Sequence, residues 1–364
     1  MSKYMAYRKN RGRRILYIFF IVGLIVFHSN GQSNDLLNQA VSEEIMEEVY
    51  QEIKTPYKYG VVFQHPAKSK MIDSPTIFQE KGVWYMTYIV FDGQGYETWL
   101  AESKDLLQWD SKGKILSFTK DTWDANQKAG YVSLVNIEWG GDYSVEKYQG
   151  KYWMTYLGGN TAGYESGTLK IGLASSSTLT DAHIWNANNT PLLTPEDKDV
   201  RWFEDKTIYK SLVIRDDKKH TGYPFVMYYN AKGNLADYES IAMAVSDDML
   251  SWKRFGNDPV ITKNKGICGD AQIAKYKDMY IMFYFGAFWK PGAFERFACS
   301  YDLINWTDWN GSDLVASSKD FDEKYAHKPW VIKWNGTVYH FYNAVGTEGR
   351  VIALATSKDL RGKK

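Results

Sequence analysis

Apolar and polar residues alternate along most of this chain in short runs, and the runs recur in sets of four. From Asp73 to Trp109 the sequence reads DSPTIFQEKGVWYMTYIVFDGQGYETWLAESKDLLQW. Runs at 74–79, 83–90 and 98–103 are rich in β-branched and aromatic residues, Gly, Asp or Lys turns bound them, and a last run is entered through Asp105 to Trp109. This is the pattern of an antiparallel meander. The same pattern returns at Gly150 to Tyr156 with Ile171 to Ser176, and at Pro224 to Tyr229 with Ile241 to Trp252. It returns again at Met279 to Tyr284 with Ala298 to Trp306, and at Gly336 to Tyr342 with Ile352 to Leu360. No helical period separates the copies. One four-stranded unit cannot bury both of its faces, whereas five around an axis can, so the pattern predicts an all-β chain folded as a five-bladed β-propeller.

The first residues follow other rules. Lys3, Arg8, Lys9, Arg11, Arg13 and Arg14 precede an apolar run from Ile15 to Phe27, with small residues at Ser29 to Gly31. That is the pattern of a secretory signal peptide over 1–31, because the apolar run falls short of the roughly 20 residues of a spanning helix. An uncleaved membrane anchor is the alternative. Residues 34–54 then show helical spacing, with Leu37, Ala40, Val41, Ile45, Val49 and Ile53 on one side and Glu43, Glu44, Glu47, Glu48 and Glu52 on the other. The organisation expected is a leader at 1–31, an N-terminal amphipathic helix and linker at 32–56, and a propeller at 57–364. The run Tyr57 to Phe63 reads as a strand that pairs into the last blade and closes the ring.

Charge and cysteine content narrow the functions. The chain carries a formal charge of +1, and the leader holds six Lys or Arg and no acid, so the remainder is at −5. With no basic run left, nucleic-acid binding is excluded as an expectation. The leader implies a periplasmic or extracellular protein with no membrane attachment after cleavage, and a monomer. Cys268 and Cys299 are the only cysteines. They fall on the first and third strands of one unit, with a strand between them, so no disulfide is expected; with no His beside them they make no metal site either.

In a propeller the innermost strand of every blade starts at one end of the channel, so its first residues converge. Counting back from the second strands gives Asp73 in unit one, Gly141-Asp142 in unit two, Lys210 in unit three, Gly269-Asp270 in unit four and His327 in unit five. Converging acids in a concave site suit glycosidic bond cleavage: one protonates the departing oxygen while another activates water or attacks the anomeric carbon. A second set of acids comes from the repeated Tyr-Glu-Ser/Thr phrase, with Glu97, Glu165 and Glu239, and Glu295 and Glu348 as looser equivalents. Aromatic residues in the loops, including Trp139, Trp202 and Phe288, offer faces for sugar rings. Arg201-Trp202-Phe203-Glu204 reads as a lip of the site.

The five meanders, the Asp73-Ser-Pro-Thr-Ile-Phe78 opening and the Gly-x-Tyr/Trp-Tyr/Trp-Met-x-Tyr second strands resemble the propeller glycosidase superfamily that includes glycoside hydrolase families 43, 32, 62, 117 and 130, over about 57–360. The resemblance implies that Asp73 is the base or nucleophile and that Asp142 tunes the acid. It leaves the acid unnamed, since Lys210 stands where family 43 has Glu. It also places His327 where some relatives hold a central cation. The catalytic candidates are therefore Asp73, Asp270 and Glu165. The substrate-binding candidates are Glu97, Trp139, Asp142, Trp202, Glu204, Lys210 and His327. No cofactor is required and no catalytic metal is expected; a structural cation near His327 is the one ion considered. The function expected is a secreted, exo-acting glycoside hydrolase acting on plant or algal oligosaccharides. A sugar-binding propeller without hydrolysis and a glycoside phosphorylase, with Lys210, Arg201 and His327 holding phosphate, stay open.

Overall fold

The computed structural model describes residues 40–67, 69–181 and 185–362; the leader at 1–31 lies outside them. Among the described residues the strand ladders sort into five antiparallel units of a β-propeller. Unit one runs Met71–Glu80, Val83–Phe91, Tyr96–Ser103 and Asp110–Leu116. Unit two runs Gln127–Val132, Tyr152–Gly159, Lys170–Ser176 and Asn186–Ala187. Unit three is Thr207–Arg215, Phe225–Lys232, Tyr238–Ser246 and Trp252–Arg254. Unit four is Gly266–Tyr276, Met279–Ala287 and Ala293–Ser300, with Thr307–Asp308 and Val315–Ala316 both pairing onto its third strand. In unit five Tyr325–Trp334, Thr337–Gly346 and Gly349–Thr356 are completed by Tyr57–Phe63, so strands from both ends of the propeller share one sheet. That pairing covers an edge that would otherwise be open to other chains.

Between the units the packing is aromatic and aliphatic. Trp84, Tyr88, Trp109, Tyr156, Tyr228, Tyr284 and Phe341 belong to one continuous buried cluster. The first strand of each unit lines the axis, and these inner strands share a local device. In four of them the ladder to the second strand slips after Asp73, Tyr209, Gly269 and His327. The residue that follows each slip has a left-handed backbone: Ser74 (φ 45°), Lys210 (φ 37°), Asp270 (φ 57°) and Lys328 (φ 63°). Such bulges re-aim side chains at the rims of barrels and beside active sites.

The segment 133–151 of unit two, which joins its first and second strands, crosses the far end of the axis. Leu134 N donates to Val213 O and Trp139 N to Lys275 O, while Gln79 N donates to Tyr143 O. Tyr143 Oη donates to Lys333 O at 3.2 Å and accepts from Lys333 N at 2.7 Å. One segment therefore bonds to the inner strands of the other four units, near where each of them ends. The helix Glu43–Ile53, capped by Ser42, packs Met46, Val49 and Ile53 against a cluster containing Phe283, Phe297 and Trp309. Its Glu52 accepts from Trp139 Nε1 at 2.8 Å.

Candidate active site

At the starting end of the inner strands lies a cavity of about 190 Å³. Glu165, Glu239 and Asp270 are its carboxylates, Lys328 and Arg350 its cations, and Tyr164, Tyr209, Phe285, Phe288 and Tyr325 its aromatic wall. His327 and Asn230 complete the polar lining.

Asp73 sits behind this wall and is 3 % exposed. Its Oδ2 accepts from Tyr164 Oη, Lys328 Nζ and Arg350 Nη1, each at 3.0 Å, and its Oδ1 accepts from Ser74 N at 2.8 Å. Burial disfavours the charged form, but Lys328 and Arg350 outweigh it and hold the carboxyl well below the usual range. Lys328 also reaches Glu165 Oε1 at 3.4 Å. Tyr96 Oη donates to the same oxygen at 3.3 Å. Glu165 Oε2 carries no protein hydrogen bond among the described residues, and the side chain is 29 % exposed.

Glu239 has different surroundings. Burial pushes its carboxyl upward, the Glu165 and Asp270 charges add to that, and a hydrogen bond from Tyr209 Oη opposes it. A carboxyl held up by burial and by neighbouring acids is how proteins keep a proton on an acid at neutral pH. Lys210, one residue on from Tyr209, lies 4.1 Å from the centroid of the Tyr131 ring and 3.8 Å from Asp270 Oδ2. Burial brings its pKa down to about 8, with Asp270 resisting and Lys328 adding to the fall.

His327 uses both ring nitrogens. Nε2 faces Arg350 Nη1 at 3.2 Å and so accepts, which makes Nδ1 the donor to Asn343 O at 3.0 Å. Burial, Arg350 and Lys328 lower its pKa to about 3. With no nitrogen lone pair left and two cations beside it, this histidine does not fit a cation site. Among the described residues no group of three or more His, Cys, Asp or Glu has the arrangement of a metal site.

Several expected contributors lie elsewhere. Asp142 does not open an inner strand: unit two starts at Gln127, and Asp142 belongs to the segment closing the opposite end, where it accepts from Asn136 Nδ2 and Ser144 N. Trp139 is in the same segment, against Phe283 and the N-terminal helix. Glu97 points outward from the third strand of unit one to Lys114 and Ser117. Glu204 is fully buried between Arg201, Arg254 and Tyr229, and that network also ties up Arg201 as a phosphate ligand. Trp202, half exposed against Phe203, is not part of the cavity wall.

Lys328 and Arg350 were missing from the expected set, and each had a signal. His327-Lys328-Pro329 runs in step with Asp73-Ser74-Pro75, so Lys328 takes the left-handed bulge position. Arg350 follows from register. The third-strand residue in line with the residue before the bulge is Thr98 in unit one, Ile241 in unit three and Ile352 in unit five. Two positions upstream stand Tyr96, Glu239 and Arg350, all at the site.

Comparison with known proteins agrees with this geometry. No family model matches the sequence, and no curated protein sequence does. Two solved structures, one named as a complex of BT0996 with RGII and the other as a glycoside hydrolase, are each 47% identical to it over 88% of this chain and 96% of theirs, with a TM-score of 0.85. A family 117 glycoside hydrolase from Zobellia galactanivorans shares the fold at 14% identity and a TM-score of 0.61, covering 84% of this chain and 91% of its own. Near-complete coverage at 47% identity fixes the family: this protein belongs to the glycoside hydrolases of the propeller glycosidase superfamily.

Proposed function

We propose that this glycoside hydrolase removes terminal sugars from a plant oligosaccharide outside the cytoplasm, with Glu239 as general acid and Glu165 as its carboxylate partner. One observation carries the assignment: Glu165 and Glu239 line the same cavity in different surroundings, Glu165 beside a lysine with one oxygen free of protein hydrogen bonds among the described residues, Glu239 with its carboxyl pushed upward by burial. Glu239 donates its proton to the glycosidic oxygen as the bond to the anomeric carbon breaks. Glu165 attacks that carbon or takes a proton from the attacking water, and the carboxyl separation in the substrate complex decides between the two. Tyr209 orients Glu239 through its hydrogen bond, and Lys328 holds Glu165 in place through its contact with Oε1.

Asp73, the base expected from the resemblance, is in this reading a positioning residue. Lys328, Arg350 and Tyr164 occupy Oδ2 and Ser74 N occupies Oδ1, so no well-placed acceptor remains for a substrate water. It fixes Lys328 and Arg350 in turn. Exo action is supported by a cavity whose opposite end is crossed by 133–151, which admits a chain terminus rather than a continuous polymer. The closely similar fold of a protein solved as an RGII complex makes RGII oligosaccharides the first substrates to try. Export rests on the basic and apolar leader.

The test is product analysis. Incubation with RGII oligosaccharides should release a single monosaccharide from the start of the reaction, and Glu239→Gln should abolish release. Mixed oligosaccharides at early times would exclude exo action, and full activity in Glu239→Gln would remove the acid.

A further inference from the structure

Asp270 is nine-tenths buried or more and only half satisfied. Its Oδ1 accepts from Asn230 Nδ2 at 2.8 Å, and its own N–H donates to Asn230 Oδ1 at 2.8 Å. This reciprocal pair is locked from behind, since any Cβ on Gly269 would fall 2.6 Å from Asn230 Nδ2. Asp270 lines the cavity, and its Oδ2 is buried with no hydrogen-bond partner among the described residues. The nearest cation, Lys210 Nζ, stands 3.8 Å away, too far for a hydrogen bond. Lys210 makes no other ion pair among the described residues and rests on the Tyr131 ring.

We infer that Asp270 Oδ2 and Lys210 Nζ together hold one hydroxyl group of the sugar in the cavity, and that they select its configuration at that carbon. The inference rests on reading the cavity as the sugar site. An acceptor and a donor 3.8 Å apart, both unsaturated, leave a point about 2.8 Å from each where one oxygen makes both bonds. A hydroxyl fits because it donates and accepts at once. An ether oxygen has no proton for Oδ2, and a carboxylate is repelled by Asp270. The epimeric hydroxyl would leave both groups unpaired.

The experiment uses a panel of 4-nitrophenyl glycosides, followed by the monodeoxy and mono-O-methyl analogues of whichever glycoside the protein cleaves. In the unaltered protein, one deoxy position is expected to lower kcat/KM by about 100-fold or more, because a site built around a hydroxyl rejects its absence strongly. In Asp270→Ala and in Lys210→Met the ratio between parent and that analogue should fall to within about 3-fold of unity. Asp270→Asn, which keeps shape and the Asn230 contact, provides the same reading if the alanine variant does not fold. A parent-to-analogue ratio unchanged by these substitutions overturns the assignment. If no glycoside is cleaved, hydrolysis is what has failed. Calorimetric titration with L-arabinose, D-galactose and their monodeoxy forms then decides the hydroxyl contact, and equal or undetectable binding of parent and deoxy sugars in the unaltered protein overturns it.

Discussion

The two ends of the propeller axis are made by the same five inner strands and solve opposite problems. At the far end the strands finish against 133–151, whose main-chain groups and Tyr143 hydroxyl meet backbone partners in every other unit. At the near end each ladder is interrupted by a bulge in four of the five units, and side chains rather than main chain face the axis. At the far end the main chain is paired from unit to unit. The near end keeps Glu165 Oε2 and Asp270 Oδ2 without protein donors among the described residues, with Lys328 beside Glu165 and Lys210 beside Asp270. Closure at one end and unmet bonding at the other is what a pocket requires, and stability and chemistry should separate along the axis.

That separation can be broken most decisively at Glu239 and Glu165. Replacing either with Gln is expected to lower kcat by about 10²–10⁴-fold or more while leaving the melting temperature within about 2 °C, measured by steady-state assay and calorimetry. A large loss of stability in these variants would merge the two ends.

Asp73→Asn should do the reverse in emphasis. It leaves Lys328 and Arg350 buried without their shared anion, at a cost of about 3–5 kcal/mol in denaturant unfolding. The folded carboxyl lies below its unfolded value of about 3.9, so its contribution is present above that pH and is lost as acid titrates the folded group. The variant should therefore show a shallower loss of stability below about pH 4 than the parent.

At the far end Tyr143→Phe removes the acceptor for Lys333 N and the donor to Lys333 O. A loss of about 1–3 kcal/mol is expected with kcat/KM unchanged, and a comparable fall in activity would show that the closing segment shapes the pocket. The smallest effect is at Tyr209. Its hydrogen bond pulls the raised Glu239 carboxyl downward, so Tyr209→Phe should move the alkaline limb of the pH–rate profile to higher pH. A limb that stays in place, or falls, would assign that limb to another group.

Much of this was legible in the residues. The period-2 runs gave the meanders, and the Tyr57–Phe63 run gave the strand that completes unit five. The helix begins at Glu43, where Ser42 supplies the cap. What failed was register. Counting back from a second strand assumes a short turn before it, and unit two holds a long crossing segment there instead, which moved Asp142 and Trp139 to the wrong end. The Tyr-Glu-Ser phrase misled in a second way. Glu97 lies one residue upstream of its in-register position and Glu239 lies two, so the same phrase faces opposite sides of the sheet. Buried polar networks such as Glu204 with Arg201 and Arg254 leave no trace in a single sequence, because an acid beside an arginine looks alike in a core and in a site.

The strand at Tyr57–Phe63 reaches beyond packing. Its partner is Gly349–Thr356, with Tyr57 in register with Thr356 across 299 residues of sequence. A nascent chain that has not yet exposed Gly349–Thr356 offers Tyr57–Phe63 no partner, so ring closure waits for that strand, and deleting it should leave an open, association-prone polypeptide.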